Sequence, residues 1–148
     1  MAGYTTTTDP DVSAKAIGKE LSISPKHSRE ICTMIRGMGV VQAKKALSEV
    51  MDLKKAVPMK RFKKRVSHKP GVGPGRYPQK AATAILKVIE SAEANAEYKG
   101  LDPENMVLAT VSASLGRTMP GHRPRAQGRA TQWDQQTVNV EVILEEVE

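Results

Sequence analysis

The most regular stretch of the chain runs from Gln79 to Tyr98. Ala81, Ile85, Val88, Ile89, Ala92 and Ala96 recur every three or four residues there, which predicts a helix with one apolar stripe. Glu90, Glu93 and Glu97 fall on the opposite or flanking surface, and Gly100 followed by Asp102-Pro103 supplies a stop and a turn. A second helix is predicted from Ser24-Pro25, a cap residue followed by proline at the first helical position, with Ile31, Met34, Ile35 and Met38 at helical spacing and Gly37 and Gly39 as the stop. From about Val40 a third helix follows, with Ala43, Ala46, Leu47, Val50 and Met51 on one face and Pro58 as its bound. Ahead of Ser24, the loose alternation of Ala14, Ala16, Leu21 and Ile23 fits an edge strand.

The last third of the chain changes period. Val107, Ala109, Val111, Ala113 and Leu115 alternate with mostly polar residues, and Val138, Val140, Val142 and Leu144 alternate with Asn139, Glu141, Ile143 and Glu145. Both read as half-buried strands, most simply paired as an antiparallel hairpin. The connector Gly116–Gln132 is too long for a tight turn. As an extended hairpin it would advance ~3.3 Å per residue and carry a tip near Arg125 roughly 30 Å out from the domain. A finger of that length has no core of its own and needs an external partner to order it. By contrast Ser67–Pro78, with three Pro and three Gly, reads as a loop without helix or strand.

Charge says what that partner is. The 148 residues carry 23 Lys+Arg and 16 Asp+Glu, a net +7, but the signs are segregated. Residues 54–80 hold ten bases and no acid, residues 105–133 hold four Arg and no acid, and the intervening blocks are near neutral or acidic. A chain basic only for solubility would intersperse its signs; acid-free blocks read as a polyanion footprint. The candidate contacts are Lys54, Lys55, Lys60, Arg61, Lys63, Lys64, Arg65, Lys69, Arg76 and Lys80 in the first block and Arg117, Arg123, Arg125 and Arg129 in the finger. The all-Arg finger suits bidentate phosphate binding and stacking. Its small residues permit close backbone approach to a dense partner such as folded RNA. The alternatives are a solvated basic loop at 54–80 and an Arg/Gly/Pro loop contacting acids of another protein at the finger.

Composition removes other classes. Tyr4, Phe62, Tyr77, Tyr98 and Trp133 are the only aromatics and are scattered, which disfavours modules that stack bases on an aromatic sheet. The single Cys32 allows no internal disulfide and reads as a small buried hydrophobe. His27, His68 and His122 lack metal-ligand spacing, so no metal or cofactor is expected; His27 reads as a surface residue and His122 as an RNA contact. Gly71-Val-Gly73-Pro-Gly75 matches neither Gly-rich phosphate-loop pattern, which leaves a small enzyme acting on a phosphorylated substrate as a remote alternative. Trp133, at the root of the finger, reads as a packing anchor. No apolar run approaches the ~18 residues of a membrane span, and the N-terminus lacks the order of a signal peptide, so a soluble intracellular protein with no membrane partner is expected.

Three segments carry a specific resemblance: Met34-Ile-Arg-Gly-Met-Gly-Val-Val-Gln-Ala-Lys-Lys-Ala-Leu47, Glu90-Ser-Ala-Glu-Ala-Asn-Ala-Glu97, and Arg123-Pro-Arg-Ala-Gln-Gly-Arg-Ala130 followed by a terminal Val strand. In this order they resemble the universal large-subunit ribosomal protein L twenty-two family over about Ile23–Leu144. The basic insert around Lys54–Pro78 resembles the archaeal and eukaryotic branch, and the compact chain favours archaeal. The resemblance implies an α+β fold in one domain over 1–148, with helices packed on a small antiparallel sheet, a basic insert at 54–80, and one long extended β-hairpin over 105–147 whose finger occupies about 116–132. It implies a non-enzymatic structural constituent of the large ribosomal subunit, cytoplasmic and within the ribosome. Such a protein binds and stabilises large-subunit ribosomal RNA and lines the nascent-peptide exit tunnel. Its expected partners are that RNA, neighbouring large-subunit proteins including the L-four protein at the tunnel constriction, and the nascent polypeptide. By motif, Arg117, Arg123, Arg125 and Arg129 become RNA-binding finger residues, and Met119, Pro120, Gly121 and His122 fall at the tunnel-facing tip. A free basic RNA- or DNA-binding architectural or chaperone protein is the alternative.

Overall fold

The computed structural model describes residues 3–146. The last residue of the expected hairpin, 147, lies outside them. In chain order the elements are β1 (Ser13–Leu21), α1 (Pro25–Ile35), α2 (Val40–Met51), β2 (Val57–Pro58), β3 (His68–Lys69), β4 (Gly73–Arg76), α3 (Gln79–Tyr98), β5 (Met106–Met119), β6 (His122–Pro124), β7 (Ala130–Gln132) and β8 (Gln135–Glu146). The fold is α+β, as the alternation of periods implies. Its main sheet has the order β1-β8-β5 with both pairings antiparallel, so the C-terminal strand is central and the expected edge strand at 14–23 is an edge.

One face of this sheet meets the helices. Val138, Val140, Val142 and Leu144 of β8, with Leu108 and Val111 of β5 and Ala14 and Ala16 of β1, pack against the stripes Ile31/Ile35, Val40/Ala43/Leu47/Val50 and Ala81/Ile85/Ile89/Ala92/Ala96. With Val88, which is also buried in this core, they include every member of the stripe predicted for α3. The predicted α1 start is where expected, with Pro25 first in the helix, although the Ser24 side chain makes no capping hydrogen bond. The third predicted helix ends at Met51, well before Pro58. The chain turns there through Asp52 and Leu53, the latter in the left-handed region, with its amide donating to Val50 O.

The other sheet face is drier than strict alternation suggests. Glu141 is only 4% exposed and Ile143 is fully buried, although both alternate with the core-facing valines. Glu141 is covered by the N-terminal segment: its carboxylate accepts from the Thr5 amide at 2.9 Å, from the Thr5 hydroxyl at 2.9 Å and from the Ser112 hydroxyl at 3.2 Å. Removing a buried acceptor leaves its donors unpaired. Glu141→Ala should therefore lower unfolding free energy by about 1–3 kcal/mol in chemical denaturation and speed exchange of the Thr5 amide; unchanged stability and exchange would show that the clamp is incidental.

The expected loop over 67–78 instead holds β3 and β4, two strands of a small sheet of order β2-β4-β3. His68 pairs with Pro74 and Lys69 with Gly73, while Val57 pairs with Arg76. The reason is the Pro70-Gly71 pair. Gly71, at φ +72°, fills the third position of a turn closed by Val72 N–H donating to Lys69 O at 3.1 Å, a geometry in which a side chain would be strained. Pro74 has no amide to donate, but its carbonyl accepts from Met59 N–H at 2.8 Å. Ala56, Val57, Met59 and Val66 are buried beneath, so the basic insert has apolar roots.

Candidate nucleic-acid interface

Two basic surfaces emerge, built differently. The first is the finger. β5 and β8 stay paired out to Thr118–Gln136 and Met119–Gln135. Beyond that the arms continue as β6 and β7, with His122 opposite Gln132, Arg123 opposite Thr131 and Pro124 opposite Ala130. No residue from Ser114 to Gln136 is buried, so this half of the hairpin contributes nothing to the core. The turn is closed by Arg125 N–H donating to Arg129 O at 2.8 Å, with Gln127 and Gly128 in the left-handed region. Arg125 and Arg129 flank an open hollow of about 510 Å³ with Ala126, Ala130 and Thr131.

This register moves the tip. Met119, Pro120, Gly121 and His122, expected at the tip by motif, lie on the outgoing arm where the β5–β8 ladder passes into β6–β7; the turn itself is Arg125–Arg129. At that joint Trp133 N–H donates to Gly121 O at 2.7 Å, and a Cβ on Gly121 would stand 2.7 Å from Trp133 O. Only glycine admits so close a crossing. Trp133 itself is 53% exposed rather than a packing anchor, and its ring lies 5.0 Å from the Arg123 guanidinium carbon. At this distance the ring face attracts the Arg123 charge. Arg117 is exposed, and its carbonyl accepts from the Thr137 hydroxyl at 2.7 Å.

The second surface is the insert. Lys54, Lys55, Lys60, Arg61, Lys63, Lys64, Arg65, Arg76 and Lys80 are all exposed, and Lys69 is half-buried with its ammonium 5.4 Å from the centre of the Tyr77 ring. The structure does not bring all of them together. Lys54 pairs with Asp52 at 3.0 Å, and Lys80 lines a different, mainly apolar cleft of about 600 Å³ between β1 and α3. Arg61, Lys63, Lys64 and Arg76 do converge, with Met59 and Phe62, on a cleft of about 530 Å³ against the first turn of α1.

That cleft adds Lys26, His27 and Phe62, which charge-block reasoning on 54–80 alone passes over. Lys26 Nζ lies 4.7 Å from the centre of the Phe62 ring. His27 is half-buried rather than a surface residue. Burial, then the Arg76 and Lys26 charges, hold its imidazole below the usual histidine range, so it is neutral at pH 7. The Arg61 amide donates to the buried Glu30 carboxylate at 3.0 Å, which fixes the insert to α1. An unusual basic residue in the first helical turn, where acids are favoured, is the one sequence signal that could have pointed here.

Elsewhere the chemistry is quiet. Burial pushes the Cys32 thiol up to about 12, so it is protonated and not a nucleophile. Glu93 of the α3 carboxylates pairs with Lys44 at 2.7 Å. Among the described residues no group of three or more His, Cys, Asp or Glu could hold a metal ion, and no helix is long and apolar enough to cross a membrane.

Residues 16–145 match the family described as ribosomal protein L22p/L17e. The large ribosomal subunit protein uL22 of Methanocella arvoryzae is 49% identical over 148 residues, covering 98% of this chain and 97% of that protein. The uL22 of Methanothrix thermoacetophila is 53% identical over 137 residues, covering 90% of each chain. That of Methanopyrus kandleri is 50% identical over 142 residues, covering 93% of this chain and 89% of its own.

Proposed function

Since the chain belongs to the ribosomal protein L22p/L17e family, we propose that its two basic surfaces bind and stabilise large-subunit ribosomal RNA and that its hairpin lines the path of the nascent peptide. It is a structural protein of the large ribosomal subunit, of the kind found in archaea, and not an enzyme. The family favours this over a free RNA- or DNA-binding factor. The observation that carries the RNA reading is the exposed, acid-free arm from Ser114 to Trp133, which buries nothing against its own domain and ends in Arg123, Arg125 and Arg129. Such an arm is stabilised by what surrounds it. Arginines on a narrow ribbon reach phosphates on several sides, through contacts that position the protein without reading bases. The domain, over 1–148, packs its apolar layers away from the RNA, and the 54–80 insert adds a second, lysine-rich contact.

In this arrangement the arm passes the tunnel constriction beside the L-four protein, and the Met119–His122 joint faces the lumen. The test is cross-linking on ribosomes stalled with a nascent chain. Cys32 is buried and protonated, so a photoreactive maleimide goes to an introduced thiol. Met119→Cys should cross-link to the nascent peptide and Lys55→Cys should not. Subunits that carry the protein but give no nascent-chain adduct from position 119 or from Gln127→Cys would overturn the tunnel-lining role.

A further inference from the structure

The cleft between α1 and the insert has more construction than a general phosphate contact needs. Five cations line it and no carboxylate does. They come from separate parts of the chain: Lys26 from α1, Arg61, Lys63 and Lys64 from the segment after β2, and Arg76 from the end of β4. Folding thus gathers like charges, which repel unless a counter-charge enters. Glu30, the carboxylate that meets the insert at Arg61, is buried on α1 and already accepts from the Arg61 amide. The volume, about 530 Å³, lies within the range of small-ligand sites.

One wall is aromatic. Phe62 is 47% exposed in a chain with five aromatic residues, and Lys26 extends across its ring. His27 completes the site with a ring that is neutral and able both to donate and to accept. The groups facing it are Lys26 on its own helix and Arg76 across the cleft. Cations, an exposed ring and a neutral imidazole in one hollow match the parts of a single unstacked nucleotide.

We propose that this cleft is a subsite for one extruded nucleotide of ribosomal RNA, its phosphate held by Lys26, Arg61 and Arg76 and its base set against Phe62. The site rests on the RNA-binding reading above and adds a point of local recognition to it. An entering phosphate reverses the electrostatics at His27, so binding draws a proton onto the imidazole and strengthens as pH falls.

The test follows the ring signals of His27 and Phe62 by NMR in the full chain, titrated separately with uridine 5′-monophosphate, inorganic phosphate and a short single-stranded uridine oligonucleotide. The nucleotide should raise the His27 pKa and shift both rings, whereas inorganic phosphate should bind about tenfold more weakly and move His27 alone. Phe62→Leu should erase the preference for nucleotide over phosphate, and Arg76→Gln should weaken both ligands. Equal binding of phosphate and nucleotide would overturn the base contact. RNA binding with His27 and Phe62 unmoved would overturn the subsite and leave the wider interface standing. Failure of the full chain to bind RNA at all would instead remove the reading on which the subsite rests.

Discussion

Replacing Arg123, Arg125 and Arg129 together by Ala is expected to leave the domain folded while cutting its incorporation into large subunits, in competition with the wild-type chain, by roughly a hundredfold or more. The magnitude follows from charge-assisted hydrogen bonds worth about 1.5–3 kcal/mol each, of which losing even two exceeds a factor of about a hundred. Folding is spared because all three side chains are exposed, Arg123 on β6 and Arg125 and Arg129 at the turn, in a part of the hairpin that adds nothing to the core. Arg123→Lys alone separates charge from shape. Lysine keeps the charge but lacks the planar fork that stacks on Trp133, so a measurable loss is expected. Incorporation of the triple variant at wild-type level would mean that the finger is a passenger.

The second large effect lies on one strand. Leu108 is fully buried in β5, and its backbone both donates to Met38 O and accepts from Gly37 N–H, at 2.9 Å each. Leu115 is on the same strand and 64% exposed. Leu108→Ala should lower unfolding free energy by about 2–5 kcal/mol, a large part of the ~5–15 kcal/mol of a typical domain. Leu115→Ala should change it by no more than about 0.5 kcal/mol. Chemical denaturation of the two variants therefore locates where β5 stops serving the core and starts serving the finger. Equal losses at both sites would mean that the arm is part of the folding unit.

The helices and the hairpin were legible because each repeats a period over many residues. The stripe from Ala81 to Ala96 spans about four turns, and Val138, Val140, Val142 and Leu144 all join the core from the centre of the sheet. The burial of Glu141 and Ile143 was not legible, because the N-terminal segment that seats Thr5 on Glu141 is more than a hundred residues distant in the chain. The insert's strands are two to four residues long, too short for any periodicity, and Pro70-Gly71 reads as a loop whether or not strands flank it. The tip was legible by counting strand residues to Arg125 and displaced to Met119–His122 by motif. The pairing of Pro124 with Ala130 settles the turn at Arg125–Arg129.

The interface was half legible for a similar reason. Acid-free blocks reveal which segments are basic but not which basic side chains meet. Lys26 and His27 lie in a nearly neutral region of sequence, and only the packing of the insert on α1 sets them beside Arg61 and Arg76. The same packing removes Lys54 and Lys80 from that cluster. Scarcity of aromatics argued against a base-stacking sheet, yet it hid Phe62, a ring that the fold leaves open beside cations.

The central claim is that the finger is enclosed by folded large-subunit RNA rather than resting on its surface. A protein held only by surface contacts to ~6–10 phosphates would lose about 10³–10⁵ in affinity between 50 and 200 mM salt. The direct measurement is the fraction of this chain that remains with purified large subunits when they are sedimented through buffers across that range. Enclosure predicts that it stays at one copy per subunit throughout; full release at 200 mM would contradict the account.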